Sequence, residues 1–437
     1  MTVNHRSLSV AVEASFGSLD GVLPSPAGLS FYSLPCERDP VVIAGDVVAN
    51  ERVETRDGPH SLAPEPDTLW SSGVRVQRRT GTIAVTMDFT TIGTAAANYD
   101  AVGLGMLLNG GFKTVKTGAS FLSSVTGDLT DENTFDPDTA TASHFPIGGL
   151  VGRLVNGLAE YSSITAVNKG GSGNIGLSPA FSSDGVDQTV YPMQTWYVPH
   201  SASSGQTDKS LAFRIDGLNF RTYAFGCKLQ SLNISVTGGR VMGAFTFLSA
   251  YIYDDHGNAS GPVEPAYLIG ASQHFRGARV TLGSEVTYHK SSPVGNDGEA
   301  ATAIQVPQVE NFTFNISNNL VPVGHSTSIL TMSDMEVSDV TVEATLTLSQ
   351  PLSDVASDFQ NRTLRPLMIG TGPIGEGRGM ALHIPAAYLS VDPQKYDVGS
   401  DIVRQTLTYK ASRFAGDVGA NPASNAGNSM ARLALGV

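Results

Sequence analysis

The sequence predicts a mainly β protein, on two observations. Its 437 residues include 47 glycines and 23 prolines, which punctuate the chain every few residues and favour short strands joined by turns over long helices. Strict alternation of apolar and polar residues, the pattern of a strand that buries one face, also recurs along the chain. In GTIAVTMDF it puts Ile83, Val85, Met87 and Phe89 on one side and Thr82, Ala84, Thr86 and Asp88 on the other. In DVTVEATLTL it sets Val340, Val342, Ala344, Leu346 and Leu348 opposite Thr341, Glu343, Thr345 and Thr347. Both segments read as half-buried antiparallel strands.

Between them lies the most strand-like region, residues 209–253, in which Thr237, Gly238 and Gly239 supply a hairpin turn flanked by strands at about 227–236 and 240–253. The first flank changes phase. Cys227 and Leu229 share one side, whereas Leu232, Ile234 and Val236 share the other, as a β-bulge produces. The arrangement returns near the C-terminus: Leu382 and Ile384 in one phase, Leu389 and Val391 in the other, Pro385 at the slip, a turn in DPQKYDVGSD and a returning strand at 401–410. A further alternating strand precedes each copy, expected at 212–215 and 312–316. Each copy also offers one short helix, in NYDAVGLGMLLNGG, stopped by Gly110 and Gly111, and in LSDVASDFQNRTLRPLMIG, capped by Ser353 or Asp354 and ended by Pro366. Two related β domains in tandem are therefore expected.

The expected organisation is an N-terminal arm over 1–40, a first β domain over 41–260, a second over 261–413 and a C-terminal arm over 414–437. Residues from about 113 to 207 are rich in Gly, Ser, Thr and Asp around one apolar stretch, FPIGGLVGRLVNGLAEYSSITAV, and read as an insertion in the first domain. The C-terminal segment ends in Met430, Leu433, Leu435 and Val437, apolar residues expected to dock on something.

Composition excludes several function classes. Lys plus Arg is 27 and Asp plus Glu is 40, a formal charge of −13, yet charged residues make only 15% of the chain and apolar ones 41%. With a mean hydropathy of −0.02, this describes a polar, uncharged surface of the kind that copies of the chain can cover, and it excludes disorder. The acidic balance argues against sequence-independent nucleic-acid binding, which needs cations to neutralise phosphates. No stretch approaches the roughly 18–20 apolar residues of a membrane span, and MTVNHRSLSVAVEASFG lacks the features of a secretory signal. A soluble protein made in the cytosol is expected, without a membrane partner. Cys36 and Cys227 permit at most one disulfide and no structural zinc site, and both read as buried thiols.

The search for catalytic chemistry yields no site. GSGNIG, residues 171–176, matches the dinucleotide fingerprint but lacks the strand and helix around it, so it reads as a loop. Asp128, Asp131, Glu132, Asp136 and Asp138 crowd one segment without the calcium-loop spacing, and read as a solvated loop. Asp254, Asp255 and His256 precede Gly257 and Asn258, where turn formation accounts for them. His325 and His383 lack the motif contexts of a metal ligand or base and read as structural. The sequons at Asn233 and Asn315 sit inside expected strands and read as chance matches. No catalytic, cofactor-binding or metal-binding residue, no cofactor and no enzymatic activity is expected.

The segment 211–250, with its core FGCKLQSLNISVTGGRVMGAFTFLSA, resembles the tail tube (major tail) proteins of long-tailed bacteriophages, with their GC-K-x-x-S-L-x-L strand, glycine turn and returning strand. VENFTFNISNNLVPV, with Asn318 and Asn319, is similar to that family's second-domain opening strand; HIPAAYLSV, MDFTTIG and GLGMLLNGG are similar to other pieces in the same order. The resemblance spans most of residues 70–410; the 113–207 insertion and the C-terminal arm depart from it.

What the resemblance implies is a structural virion protein of β-sandwich or barrel domains with a flanking helix. Six such domains form a ring, the inner sheets join into one barrel, and rings stack into the tube through which DNA is ejected. Two domains per chain imply a pseudo-hexameric trimer in preference to a hexamer of chains. The implied partners are other copies of the chain and the tape-measure, tail terminator and baseplate or tail-tip proteins. DNA passes without specific binding along an acidic lining for which Asp88 and Glu343 are candidates. The implied location is the virion tail, assembled in the host bacterial cytoplasm. The competing readings are a tail decoration or baseplate protein sharing the fold, and a carbohydrate-binding β-sandwich. The latter expects exposed aromatics in a cleft, which a chain with only Trp70 and Trp196 as tryptophans and 8% aromatics is poorly supplied to build.

Overall fold

The computed structural model describes residues 7–20, 23–24, 26–34, 43–51, 74–91, 103–115, 124–137, 145–169, 174–199, 209–216, 221–254, 271–272, 278–283, 285, 304–306, 308–324, 332–352, 355–372, 379–393, 396–397, 403–412, 427 and 429–436. Strands dominate. β1 (Ser7–Val12) is followed by the short β2 (Leu19–Asp20), β3 (Leu23–Pro24) and β4 (Tyr32–Ser33), then by a hairpin of β5 (Ile43–Glu51) and β6 (Val74–Asp88). β7 (Thr90–Thr91), the helix α1 (Gly103–Asn109) and β8 (Lys113–Val115) come next. Six strands, β9 (Val125–Asp131), β10 (Thr134–Pro137), β11 (Leu150–Val155), β12 (Leu158–Lys169), β13 (Asn174–Ser178) and β14 (Gly185–Pro192), close into a barrel of their own.

β15 (Gln194–Pro199) then leads into β16 (Leu211–Asp216), β17 (Arg221–Thr237), β18 (Arg240–Ser249) and β19 (Tyr251–Asp254). The short β20 (Ala271–Ser272), β21 (Arg279–Leu282) and β22 (Ile304–Val306) precede a long hairpin of β23 (Val309–Gly324) and β24 (Met332–Leu348). The helix α2 (Val355–Asn361), β25 (Arg365–Thr371), β26 (Met380–Leu389), β27 (Tyr396–Asp397), β28 (Arg404–Ala411) and β29 (Ser429–Leu435) complete the chain.

Two sets of elements share one plan. The first is the β5–β6 hairpin, α1, β16, β17 and β18; the second is the β23–β24 hairpin, α2, β25, β26 and β28. In each set the hairpin's second strand pairs antiparallel with the last strand, β6 with β18 and β24 with β28. In each, the middle strand pairs with both the strand before it and the strand after it. Even the irregularities recur. Both hairpins carry one extra residue at the equivalent point, Gln77 in β6 and Ser338 in β24. Both middle strands bulge where they change partner, at residues 225–226 and 385–386. A bulge shifts the side-chain phase, so the slips legible in the sequence at Leu229/Leu232 and at Pro385 are register shifts in the fold.

The sets are joined by backbone pairing. Ser231–Ser235 of β17 pair with Thr313–Ser317 of β23. An antiparallel ladder of eight strands therefore runs without a break in the order β5, β6, β18, β17, β23, β24, β28, β27. Side chains anchor the junction. The Lys228 ammonium donates to the Met335 carbonyl at 2.9 Å and pairs with Asp334 at 2.8 Å, and the Asn318 amide donates to the Leu229 carbonyl at 3.0 Å. At the β17–β18 turn, Gly238 and Gly239 take φ of 59° and 78°, the left-handed values a two-residue hairpin requires.

One face of the ladder is the core. Ile83, Val85, Met87, Leu232, Ile234, Phe245, Phe247, Phe312, Phe314, Ile316, Val342, Ala344, Leu346, Leu348, Leu407 and Tyr409 are all buried in a single cluster, as the alternation predicts. Helices of seven residues are too short to persist alone. α1 is held by Leu104, Met106, Leu107 and Leu108, all buried in this same cluster, and α2 by Val355.

Four expectations are corrected. Residues 7–12 form no arm, because β1 pairs along its whole length with β16 and also with β4. Nor is residues 429–435 an arm: β29 is inserted between β15 and β26, and Ala431 to Leu435 are buried. Met430, Leu433 and Leu435 dock on their own chain. Residues 124–137 are not a solvated loop but a hairpin of the six-stranded barrel; glycine at 127 and short strands hide an alternation whose apolar members Val125, Leu129 and Phe135 fill the barrel interior. Finally, the counterpart of β16 in the second set is β25, whereas the strand at 312–316 matches β5.

Candidate functional site: a polar ladder face

Because strand side chains alternate, the ladder's buried face dictates a second, outward face. Cross-strand register arranges it in rows. One row runs Thr86, Ala244, Asn233, Asn315, Glu343, Lys410. A second runs Ala84, Thr246, Ser231, Ser317, Thr341, and a third runs Asp88, Met242, Ser235, Thr313, Thr345, Thr408. Hydroxyls and amides dominate, and apart from buried Met242 these positions are half-buried or exposed. The sequon residues Asn233 and Asn315 are direct partners in the middle of this face.

Charge on the face is sparse and balanced. Asp88 is paired with the Arg240 guanidinium at 2.8 Å, and Glu343 stands opposite Lys410 across the β24–β28 ladder. Asp88 and Glu343 thus lie on the polar face, as expected, but the described part of that face is close to neutral rather than acidic. Such a surface offers a nucleic acid neither a row of cations to replace counterions nor exposed rings for base stacking. Its hydroxyls and amides hydrogen-bond water instead.

The barrel of β9–β14 is fastened to β21, β25, β26 and β29 by two clusters. Leu150, Ala159, Tyr161 and Met193 pack on Met368, Ala381 and Ala434. Tyr161 lies on the bare backbone of Gly370 and donates its hydroxyl to the Thr371 carbonyl at 2.7 Å. A Cβ at residue 370 would stand 2.0 Å from the Tyr161 ring. Gly370→Ala is therefore expected to cost about 1–3 kcal/mol through overpacking, read as a lowered denaturant midpoint; an unchanged midpoint would show that Tyr161 has room to move.

The second cluster is ionic. Arg153, 1% exposed, and Glu160, 3% exposed, face each other across β11 and β12. The Arg153 Nε donates to Glu160 Oε2 at 2.9 Å, its guanidinium lies 4.4 Å from the Phe181 ring centroid, and the Ser182 N–H donates to the same carboxylate at 3.2 Å. Arg279 of β21 reaches across to the other Glu160 oxygen. Burial alone would push the Glu160 carboxyl up, but the Ser182 hydrogen bonds and Arg153 outweigh it and hold it below its ordinary range. Nearby, Arg432 of β29 donates to Ser163 of the barrel, and His383 stands beside it in the β26–β29 ladder. Burial, with Arg432 adding repulsion, pushes the His383 imidazole well below its usual range, so it is neutral.

The remaining sequence candidates separate. His325, Asp138, Asp255, His256, Cys36, Trp70 and residues 171–173 lie outside the described residues. Asn174–Gly176, the rest of the glycine motif, belong to strand β13. Cys227 is a buried free thiol, and Trp196 is buried with its indole N–H donated to Asn109 at 3.0 Å. The Asp128 carboxylate of β9 accepts the Asp187 N–H of β14 at 3.0 Å, a contact between neighbouring barrel strands where their register shifts. Among the described residues, no group of three or more His, Cys, Asp or Glu is placed to hold a metal ion, and no helix is long and apolar enough to cross a membrane. The buried cluster around Glu160 and Arg432 escapes sequence reasoning, since its members come from five strands and no local pattern marks them.

No protein-family model matches the chain, and no curated protein matches it significantly.

Proposed function

We propose that this chain is the structural subunit of a bacteriophage tail tube: copies form rings, the rings stack, and DNA is ejected through the lumen. In this reading the two strand sets are tandem tube-like β domains, each with its short flanking helix, and the six-stranded barrel is an insertion in the first. The observation that carries the reading is the β17–β23 pairing, which already joins one set to the next in a single ladder. Repeating that junction between copies closes a ring and leaves no sheet edge open to uncontrolled pairing.

Strand counting favours three copies. Each chain contributes eight strands to the ladder, so three copies give 3 × 8 = 24. At about 4.8 Å per strand the circumference is about 115 Å and the backbone diameter about 37 Å, wide enough to pass a DNA duplex once side chains are added. Six copies would double that width. The ladder's polar face then lines the lumen, where a neutral, hydroxyl-rich wall holds water and leaves phosphates unbound. The insertion barrel lies outside the ladder and away from the DNA path. Assembly takes place in the host bacterial cytoplasm, with tape-measure, terminator and baseplate proteins as partners, and the product resides in the virion tail.

The mass of the smallest assembly tests this reading. Light scattering behind size exclusion is expected to give three chains of 45.8 kDa each, or stacks of such units. A homogeneous two-chain particle would exclude the closed ring.

A further inference from the structure

The six-stranded barrel and the body formed by the two strand sets have separate cores. Val125, Leu129, Phe135, Val151, Ile164 and Phe181 belong to a cluster inside the barrel. The body's cluster includes Phe112 and Trp196 but, among the described residues, nothing between them. The chain also leaves and re-enters the body at one place, because Val115, the last residue of β8, is the direct partner of Thr195 in β15. Two connections side by side act as a hinge, so the barrel's position rests on the seam between the cores.

That seam joins a small apolar cluster around Tyr161, Met193, Met368 and Ala381 to two groups whose charge acid changes. Glu160 of β12 is the first. Charged groups face it from two elements, Arg153 of β11 and Arg279 of β21, and the Ser182 N–H donates to it from the segment before β14. Arg153 belongs to the barrel and Arg279 to the body, so the carboxylate bridges them. Once neutralised, it leaves two guanidiniums facing each other across the seam.

His383 of β26 is the second. It shares the face of Ala381, two residues away, and lies level with Met368 of β25 and Arg432 of β29; Tyr197 of β15 and Lys113 of β8 continue that row. It is 2% exposed, and neither ring nitrogen has a hydrogen-bond partner among the described residues. The charged group beside it is Arg432, whose guanidinium donates to Ser163 of the barrel. Tyr161 and Tyr191 are the other titratable side chains packed at the apolar cluster, and burial pushes the Tyr161 hydroxyl up, so it stays neutral.

We propose that the barrel is an acid-released module: it stays docked while Glu160 is a carboxylate and His383 a neutral imidazole, and swings out on its β8–β15 hinge, still folded, when both take up protons. Release is a property of the single chain and is independent of ring assembly. The docked state holds both groups below their ordinary ranges. Burial, with Arg432 adding repulsion, does so for His383; for Glu160 burial opposes the charge but is outweighed by the Ser182 hydrogen bonds and Arg153. Docking is therefore at full strength above about 6.5, weakens below that value as release lets His383 protonate, and weakens more steeply below about 4.3, where Glu160 adds a second proton.

The test is thiol labelling in the full-length chain with Cys36→Ser. Ala381→Cys places a reporter in the seam, and native Cys227, in the body's core cluster, is the internal control. Dithiodipyridine, which reacts in acid, is the probe, with rates taken relative to the unfolded chain at each pH and the two sites separated by peptide mass spectrometry. Labelling at residue 381 is expected to rise about tenfold per pH unit below about 6.5, and more steeply below about 4.3, while Cys227 stays protected. Glu160→Gln is expected to raise labelling at pH 7.5 at least tenfold, and His383→Leu to keep the seam closed down to about pH 4.3. Ala434→Cys reports from the same cluster on β29 if Ala381→Cys does not fold, and circular dichroism checks every variant. Labelling at the seam that is flat from pH 8 to pH 4 would overturn acid release. Cys227 reacting in step with the seam would overturn the hinge, since the whole chain would then be unfolding. A pH profile unmoved by either variant would overturn the roles of Glu160 and His383.

Discussion

A chain ending at residue 428 is expected not to fold, and Leu433→Ala in the full-length chain is expected to lose about 3–5 kcal/mol of stability. Both follow from the position of β29. It pairs with β15 from Gln194↔Leu435 to Pro199↔Ser429, and with β26 from Met380↔Leu435 to His383↔Arg432. Removing it exposes two strand edges at once and empties the space of Leu433 and Leu435, 1% and 0% exposed. It also removes Arg432, whose guanidinium is held by Ser429, Gly427 and Ser163. Leu433→Ala isolates the packing part, since the alanine backbone keeps every ladder hydrogen bond. Circular dichroism and urea denaturation read both effects. A truncated chain that melts like the intact one would mean that residues 429–437 are dispensable to the fold.

The second large effect is expected at Glu160. Glu160→Gln leaves Arg153 and Arg279 facing a neutral amide, and loss of one member of a buried ion pair costs about 3–5 kcal/mol, because the remaining charge is desolvated without compensation. The pH dependence carries a definite sign. The folded state holds the Glu160 carboxyl below its ordinary range, so its contribution is present above the unfolded value, about 4.3, and is lost as pH falls through the folded value. Wild type and Glu160→Gln should therefore differ most at neutral pH and converge in acid. His383 acts in both proteins: buried and neutral, it opposes protonation, so stability falls in both as pH drops below about 6.5. Urea midpoints at pH 3, 5 and 7 read the two components; a constant gap between the curves would show that the Glu160 carboxylate is not held by its arginines.

What the sequence made legible follows a physical line. Period-two alternation reports one buried face, so the strands around Ile83–Phe89 and Val342–Leu348 were readable, as were the bulges that flip their neighbours' phase and the Gly238–Gly239 turn. Pairing partners were not. Nothing local in 429–435 distinguishes a strand inserted between β15 and β26 from an apolar tail, because the difference lies in residues some 50 and 230 positions away. The six-stranded barrel was obscured by strands as short as four residues, in which glycine and threonine dilute the apolar count. At the polar face, Asp88 and Glu343 were recognisable as outward-facing, yet their neutralisation by Arg240 and Lys410 depends on register. The buried Arg153–Glu160–Arg279 cluster reads in sequence as three unrelated surface charges.

The central claim, that the ladder closes across copies into a stacked tube, is tested most directly by electron microscopy of the purified chain at high concentration. The expected images are rings or tubes whose end-on views show three-fold symmetry, with three peripheral densities for the β9–β14 barrels. A chain that stays monomeric, or rings bearing six identical barrels, would contradict it.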